Sequence, residues 1–162
     1  MTVIDVDKNA EARTLTITAR FDAPPTRVWQ VWEDPRQLER WWGPPTYPAT
    51  VLHHDLTPGG EVTYLMTGPE GDKHHGWWKV SAVDAPRSLT FDDGFGDDAS
   101  RPDPAFPVTS IRVTLETEGP AGTVMRIVST YPTSEAFEQL LAMGMAEGMR
   151  EALGQIPALL AS

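Results

Sequence analysis

The chain has 162 residues, a hydrophobic fraction of 40%, a formal charge of −10 and no cysteine. This size suits one folded domain, and the acidic balance argues against nucleic acid or an anionic membrane as a partner. No apolar run reaches the roughly 20 residues of a membrane span, and the first residues lack the pattern of a signal peptide. Without thiols there can be no disulfides or thiolate metal sites. We therefore predict a single cytoplasmic domain over residues 1–162, with a loose segment at 1–10.

The first part of the chain predicts one strand followed by two short helices. Residues 13–21 alternate apolar and polar side chains, as a half-buried strand does. Pro24 and Pro25 can open the first helix. Asp34 suits the N-cap of the second helix, which should end at Trp41-Trp42-Gly43 because prolines follow.

The middle of the chain carries a series of strand patterns separated by Gly- and Pro-rich turns. The predicted strands cover residues 49–56, 61–67, 73–83, 88–91, 108–118 and 123–131. Residues 92–107 are rich in Asp, Gly and Pro and predict a long loop that contains Phe95 and Phe106. Because long loops in compact domains are usually functional, we interpret these two rings as a gate over an entrance.

The carboxyl-terminal segment predicts one long helix of about 23 residues, capped by Thr133 or Ser134 and kinked or ended by Pro157. Gly144 and Gly148 lie inside its apolar stripe, where each costs about 1 kcal/mol relative to Ala. Two explanations remain open. Either a ring of the sheet such as Trp78 packs on the bare backbone, or the space accommodates a ligand.

These elements define an α+β fold with a curved antiparallel sheet of about six to seven strands, two short helices near the amino terminus and a long helix packed across the sheet. A straight helix cannot fill a concave surface. The order of elements therefore predicts a space between the sheet and the last helix.

The sequence resembles the helix-grip fold of the START/SRPBCC superfamily. Its motifs are most similar to the branch named after the heat-shock-protein-90 ATPase activator homologues. The resemblance covers FDAPPTRVWQVWEDP (21–35), LERWWGP (38–44), LTPGGEVTYLM (56–66), GWWKVSAVDAPRSLTF (76–91), GTVMRIVSTY (122–131) and AFEQLLAMGMAEGMREAL in the last helix.

The resemblance implies an internal cavity for an apolar or aromatic small molecule, covered by the last helix. The family name also suggests a stress response and a co-chaperone role. The eukaryotic co-chaperone carries an additional amino-terminal domain, for which 162 residues leave no room, so we do not expect chaperone stimulation. The superfamily includes carriers, cyclases and sensors, and the fold therefore leaves the chemistry open.

The candidate ligand-binding residues are the aromatic, methionine, glycine and small polar positions predicted to face this space. For Trp41 and Trp42 two interpretations remain open. Both rings fill a corner between the short helices and the sheet, or one packs inward while its neighbour lines the cavity mouth, since adjacent residues cannot share one face. The full set is Trp32, Trp41, Trp42, Tyr64, Met66, His75, Trp78, Phe91, Phe95, Met125, Ile127, Ser129, Tyr131, Phe137, Leu141, Gly144, Met145, Gly148 and Met149.

No metal, cofactor or catalytic residue is predicted. His53-His54 and His74-His75 are neighbours on strands and point to opposite faces, so neither pair can chelate a metal as a unit. The sequence has no nucleophile elbow and no phosphate-binding glycine loop.

We therefore predict a monomer or weak homodimer that binds a lipid-like, polyketide-like or flavonoid-like molecule as a carrier, sensor or sequestration protein. The alternatives are a cyclase or aromatase in the same cavity, and a protein-interaction module with a filled interior.

Overall fold

The computed structural model describes residues 3–97 and 101–161. Across these residues the chain forms one antiparallel sheet of eight strands, in the order β1-β2-β8-β7-β6-β5-β4-β3. The strands are β1 (Val3–Asn9), β2 (Thr14–Phe21), β3 (Ala49–His54), β4 (Glu61–Thr67), β5 (Lys73–Asp84), β6 (Ser88–Gly96), β7 (Thr109–Glu118) and β8 (Gly122–Thr130). The helices are α1 (Pro25–Glu33), α2 (Pro35–Trp41), α3 (Ser134–Ala142), α4 (Met145–Leu153) and α5 (Ile156–Leu160). The predicted α+β helix-grip class is confirmed, with slightly more strands than expected.

The additional strand is β1, so the prediction of a loose segment at residues 1–10 is wrong for residues 3–9. This stretch pairs antiparallel with β2, from Val3 opposite Arg20 to Asn9 opposite Thr14. Ile4 and Val6 pack partly buried against the core. Only these two alternating apolar residues mark the strand, and the charged residues between them face outward, which explains why the sequence pattern is weak.

The two short helices α1 and α2 follow β2 as predicted, and the proposed cap is present. The Asp34 carboxylate accepts a hydrogen bond from the Arg36 backbone N–H at 2.9 Å. Gln37 reaches back and donates its amide N–H to the other Asp34 oxygen at 3.1 Å. Both bonds lower the pKa of Asp34, the bond from Gln37 most strongly. The cap fixes the angle between the helices and brings their tryptophans over the sheet.

The carboxyl-terminal helical segment is not one continuous helix. The Thr133 hydroxyl accepts from the Ala136 N–H at 3.0 Å and begins α3, as the sequence predicts. The segment then breaks at Gly144, whose φ of +86° is left-handed and favours glycine. It breaks again at Gly154-Gln155, and Pro157 lies in the first turn of α5 instead of ending the helix. Three short helices can follow the curvature of the sheet more closely than one straight helix.

Strand β6 continues five residues beyond its predicted end at Phe91. Its alternation persists, with Phe91 opposite Val80 of β5, Asp93 opposite Trp78 and Phe95 opposite Gly76. The prediction of a loop over 92–107 is therefore wrong for residues 92–96, and residues 98–100 of that stretch lie outside the described part of the chain. The strand pattern was hidden by Asp93 and Gly94, two residues that are uncommon in strands.

The core lies between the sheet and the helices and is centred on aromatic rings. Trp32 and Trp41 meet edge to face at 4.7 Å between ring centroids, and Trp78 stacks on Phe91 at 4.1 Å. All four side chains are fully buried. Such pairs add roughly 0.5–1.5 kcal/mol each to the free energy gained from burial alone. In residues 3–97 and 101–161, none of the helices is both long and apolar enough to cross a membrane.

Candidate functional site

A cavity of about 290 Å³ separates one end of the sheet from the helical segment. The ends of β4, β5 and β6 form its floor, and α3, α4 and their junction form its roof. The segment from Trp42 to Tyr47 closes one side. Met143 also lines the cavity and is 54% exposed, so the cavity reaches the molecular surface beside the helix junction.

The roof leaves this space because most of its lining residues are glycine or methionine. A Cβ atom added at Gly148 would meet no atom within 4 Å, and the same holds at Gly144. The sheet ring Trp78 therefore does not pack on either backbone. The sequence left two explanations open for these glycines, packing of a sheet ring on the bare backbone or space for a ligand. The structure shows open space at both glycines. Met145 and Met149 flank that space and are only partly buried.

One partly buried hydrogen bond connects two polar groups of the cavity wall. The Tyr64 hydroxyl, on β4, donates to the Asp93 carboxylate on β6 across the intervening strand, at 3.0 Å. The Tyr64 ring lies directly over Gly76 of β5, where any Cβ atom would collide with it. Glycine at this position thus allows the tyrosine to lie flat on the neighbouring strand and to reach the carboxylate.

Burial perturbs the acidity of both partners. It raises the pKa of Asp93 to about 7, against the opposing effect of hydrogen bonds from Tyr64 and from the Gly94 backbone N–H. Burial, and next the negative charge of Asp93, raises the pKa of Tyr64 well above its ordinary value. Burial, assisted by Asp93, also raises the pKa of Tyr131 to about 12. The phenols therefore stay neutral at pH 7, whereas the carboxyl is close to half ionised.

The adjacent tryptophans at the end of α2 have different surroundings. Trp41 is fully enclosed and its indole N–H donates to the Val31 carbonyl at 2.8 Å. Trp42 is also buried, but its ring forms part of the cavity wall and contacts Trp78 and Tyr64 edge to face. Its indole N–H has no hydrogen-bond partner within the described residues. One ring thus packs inward while the next lines the cavity.

The structure brings nine of the predicted ligand-binding residues to the cavity and places ten elsewhere. Those lining it are Trp42, Tyr64, Met66, His75, Phe95, Gly144, Met145, Gly148 and Met149. The other ten belong to the closed core or pack against it: Trp32, Trp41, Trp78, Phe91, Met125, Ile127, Ser129, Tyr131, Phe137 and Leu141. These ten are buried or partly buried in the packed core, and none of them lines the cavity.

Eleven of the twenty lining residues were not in the predicted ligand-binding set. They are Gly43, Pro44, Tyr47, His74, Asp93, Gly94, Pro107, Thr109, Leu140, Met143 and Ala152. Asp93 matters most chemically, and a signal for it exists in the sequence. Every second residue of β6 from Leu89 onward, namely Leu89, Phe91, Asp93 and Phe95, lies on the same face of the strand. Continuing the predicted strand from Phe91 to Phe95 would therefore have placed the Asp93 carboxylate on the face that is directed to the interior.

The histidines do not gather into a metal site. His74 hydrogen-bonds to the Asp72 carboxylate at 2.8 Å. The Nε2 atom of His54 lies 3.1 Å from the Trp32 carbonyl oxygen, so this ring contacts the end of α1 and not the cavity that His74 and His75 line. Over residues 3–97 and 101–161, no group of three or more His, Cys, Asp or Glu side chains is arranged to hold a metal ion.

Phe95 and Phe106 contact each other, with ring centroids 4.8 Å apart. Phe95 lines the cavity from the end of β6, and Phe106 packs on it from the following loop. The Trp77 indole N–H donates to the Phe95 carbonyl at 3.0 Å and holds the strand end in place.

The arrangement of a concave antiparallel sheet, two short helices after β2 and carboxyl-terminal helices across the sheet defines the helix-grip class of the START/SRPBCC superfamily. The family model described as Activator of Hsp90 ATPase homolog 1-like protein matches residues 22–161, and the chain belongs to this family.

Solved structures show the same relationship. Protein Ms6760 from Mycobacterium smegmatis is 51% identical, with a TM-score of 0.89 over 98% of this chain and 97% of that one. A protein from Arthrobacter aurescens is 50% identical, with a TM-score of 0.92 over 97% of this chain and 91% of its own. A protein from Staphylococcus epidermidis is 27% identical, with a TM-score of 0.83 over 96% and 93% of the two chains. No curated protein matches the sequence.

Proposed function

We propose that the protein binds a small hydrophobic or aromatic molecule between β4–β6 and α3–α4, as a carrier, sensor or sequestration protein. The observation that carries this proposal is the cavity of about 290 Å³ beneath Gly144 and Gly148, where an added Cβ atom would meet no other atom within 4 Å. An unfilled space of this size is costly in a core, because its walls lose their packing partners. A bound molecule would restore those contacts.

The lining chemistry favours an apolar ligand held in place by few polar groups. Methionines and aromatic rings make up much of the wall, and burying apolar surface gains about 25 cal/mol per Å². A two-ring aromatic that buries about 200 Å² would therefore gain about 5 kcal/mol, from which the entropic cost of association is subtracted. Flexible methionines at three roof positions suit ligands that differ in shape.

Entry would occur at the exposed end of the cavity. Met143 at the helix junction is exposed, and the Phe95–Phe106 pair lies on the sheet side of the same space. Displacement of these side chains would open the path without breaking the closed core around Trp32. The Phe95–Phe106 pair would then act as a gate over the entrance.

A thermal-shift experiment with flavonoid-like, polyketide-like and fatty-acid ligands tests the proposal, since binding to the folded state raises the melting temperature. Gly148→Leu should abolish the response, because the new side chain enters the cavity where no atom stands within 4 Å of its Cβ. Glu151→Leu, on the exposed side of the same helix, is the matched control and should retain the response. A flat response to every ligand would favour a protein-interaction module instead.

The Tyr64–Asp93 pair favours one second candidate, an enzyme of the cyclase or aromatase type in the same cavity. A carboxyl with a pKa of about 7 on a cavity wall suits general acid–base catalysis near neutral pH. For such an enzyme, Asp93→Asn would abolish turnover while binding of the substrate persisted. Loss of binding together with turnover would instead indicate a role in recognition.

A further inference from the structure

The charge on the cavity wall is one-sided. Among the described residues that line the cavity there is no lysine and no arginine, and Asp93 supplies the one carboxyl group. Two histidines also line the cavity: His74, which is bonded to the Asp72 carboxylate and whose side chain is 55% exposed, and His75, which is partly buried. A ligand in this space would therefore meet a negative group in the wall, without a matching fixed cation.

Asp93 is held in position and still has acceptor capacity. Tyr64 donates to its Oδ1 atom at 3.0 Å, and the Gly94 backbone N–H also bonds to the carboxylate. An ionised carboxylate offers about four lone-pair sites, so two donors leave room for more. Because the Tyr64 ring is wedged over Gly76, the carboxylate is oriented before any ligand arrives. Such preorganisation reduces the entropic cost of binding.

We infer that the ligand is a hydrophobic aromatic molecule bearing a protonated amine, and that the amine bonds to Asp93. This inference rests on the proposed function and names the ligand class for the same cavity. An ammonium group replaces the solvation that the buried carboxylate has lost, and a charge-assisted hydrogen bond forms between them. The aromatic rings of Trp42 and Tyr64 in the same wall add a further attraction for a cation.

The same geometry selects against acidic ligands. A carboxylate ligand that enters the cavity places a second negative charge near Asp93, and like charges in a poorly hydrated space repel strongly. Fatty acids and aromatic acids should therefore bind weakly, although their apolar parts suit the walls. A neutral molecule with the same ring system should bind between the two extremes.

Three probes with one ring system test this order: 2-(2-naphthyl)ethylamine, 2-(2-naphthyl)ethanol and 2-naphthylacetic acid, titrated calorimetrically into the native protein at pH 7. We expect the amine to bind at least about tenfold more tightly than the alcohol, as a charge-assisted hydrogen bond allows, and the acid to bind most weakly. Asp93→Asn should lower the affinity for the amine to that for the alcohol and leave the alcohol within about twofold of its native affinity.

Asp92→Asn is the matched control. Asp92 precedes Asp93 on β6, faces the other side of the sheet and accepts a hydrogen bond from the Ser110 hydroxyl. This variant should keep the amine preference. If the alcohol or the acid binds the native protein as tightly as the amine does, the inference is overturned while the proposed cavity binding stands. If none of the three probes binds and no other hydrophobic ligand shifts the melting temperature, the proposed function fails, and the inference fails with it. The native titrations decide even where Asp93→Asn does not fold.

Discussion

The helices cover the sheet in two regions with opposite character. Around Trp32, four aromatic rings fill the space between α1, α2 and the central strands. The helices and the sheet are in direct contact there through these side chains. Beneath Gly148, the layers stand apart and enclose about 290 Å³. Both regions are apolar, so hydrophobicity does not distinguish them. The volume of the side chains does: tryptophans close one region, whereas glycines and methionines leave the other open.

The largest effect is expected from removing a ring of the closed region. Trp32→Ala should lower the free energy of unfolding by about 3–5 kcal/mol, the range for large-to-small changes of buried aromatic residues. Met149→Ala, in the open region, should cost less than half as much because one side of this residue already lacks neighbours. Urea denaturation of both variants measures the difference. Equal losses would mean that the two regions are packed alike.

The next effect is a pH dependence that arises from the cavity wall. The pKa of Asp93 is raised from 3.8 to about 7 in the folded protein, mainly by burial. Between these values the folded state binds more protons than the unfolded state. The contribution to stability is therefore complete below pH 4, declines as the pH rises and is lost by pH 7.

At about 1.4 kcal/mol per pKa unit, the decline attributable to Asp93 is at most about 4 kcal/mol. Asp93→Asn carries no titrating group at this position and should lack this part of the slope. Denaturation of the native protein and the variant at a series of pH values between 4 and 8 checks the sign and the window. Parallel curves for both proteins would show that Asp93 does not titrate in this range.

A methyl group added at Gly76 should disturb the wall of the open region. Gly76→Ala places its Cβ atom against the Tyr64 ring and pushes the hydroxyl away from Asp93. We expect a loss of about 1–3 kcal/mol in stability, as for other overpacked sites, together with weaker ligand binding. Denaturation and calorimetry measure the two effects. An unchanged stability would mean that the ring moves aside at no cost.

The same methyl group at Gly148 should have the smallest effect and the opposite sign. Gly148→Ala meets no atom within 4 Å and replaces glycine inside a helix, so stability should rise by about 1 kcal/mol. The affinity for ligand should fall slightly because the cavity becomes smaller. Comparing the melting temperature of this variant with that of Gly76→Ala separates open space from close contact. A lower melting temperature would show that the space at Gly148 is already filled.

The sequence predicted those elements of the fold that are marked by an uninterrupted local pattern. Alternation along β2 and the cap at Asp34 are local patterns, and both elements form where the patterns place them. Strand β1 and the end of β6 were missed because Asp and Gly residues interrupt the pattern, and pairing with neighbouring strands compensates for them. Gly144 was visible in the sequence as a glycine, but an apolar stripe that continues on both sides of it does not show that its φ is +86° and that the helix breaks there.

The sequence could not show which of the predicted site residues line the cavity and which are packed in the closed core. Trp78 and Gly76 occupy the same face of β5, yet the first lies in the closed region and the second supports the cavity wall through Tyr64. Which side chains line a void depends on the distance between two layers, and that distance follows from the joint volume of residues far apart in the chain. The periodicity of a sequence shows which face of a strand or helix is apolar. It does not show how far that face lies from the layer packed against it.

The most direct test of whether the cavity binds a small hydrophobic molecule uses the methionine methyl groups as reporters in nuclear magnetic resonance spectra. The cavity is lined by Met66, Met143, Met145 and Met149. Met125 is instead buried in the closed core, where its sulfur accepts a hydrogen bond from the Trp32 indole N–H at 3.4 Å. In a protein labelled with ¹³C at these methyls, titration with 2-(2-naphthyl)ethylamine should shift the four cavity signals and leave the Met125 signal in place. Unmoved signals from the cavity methionines, or a Met125 shift as large as theirs, would contradict binding at this site.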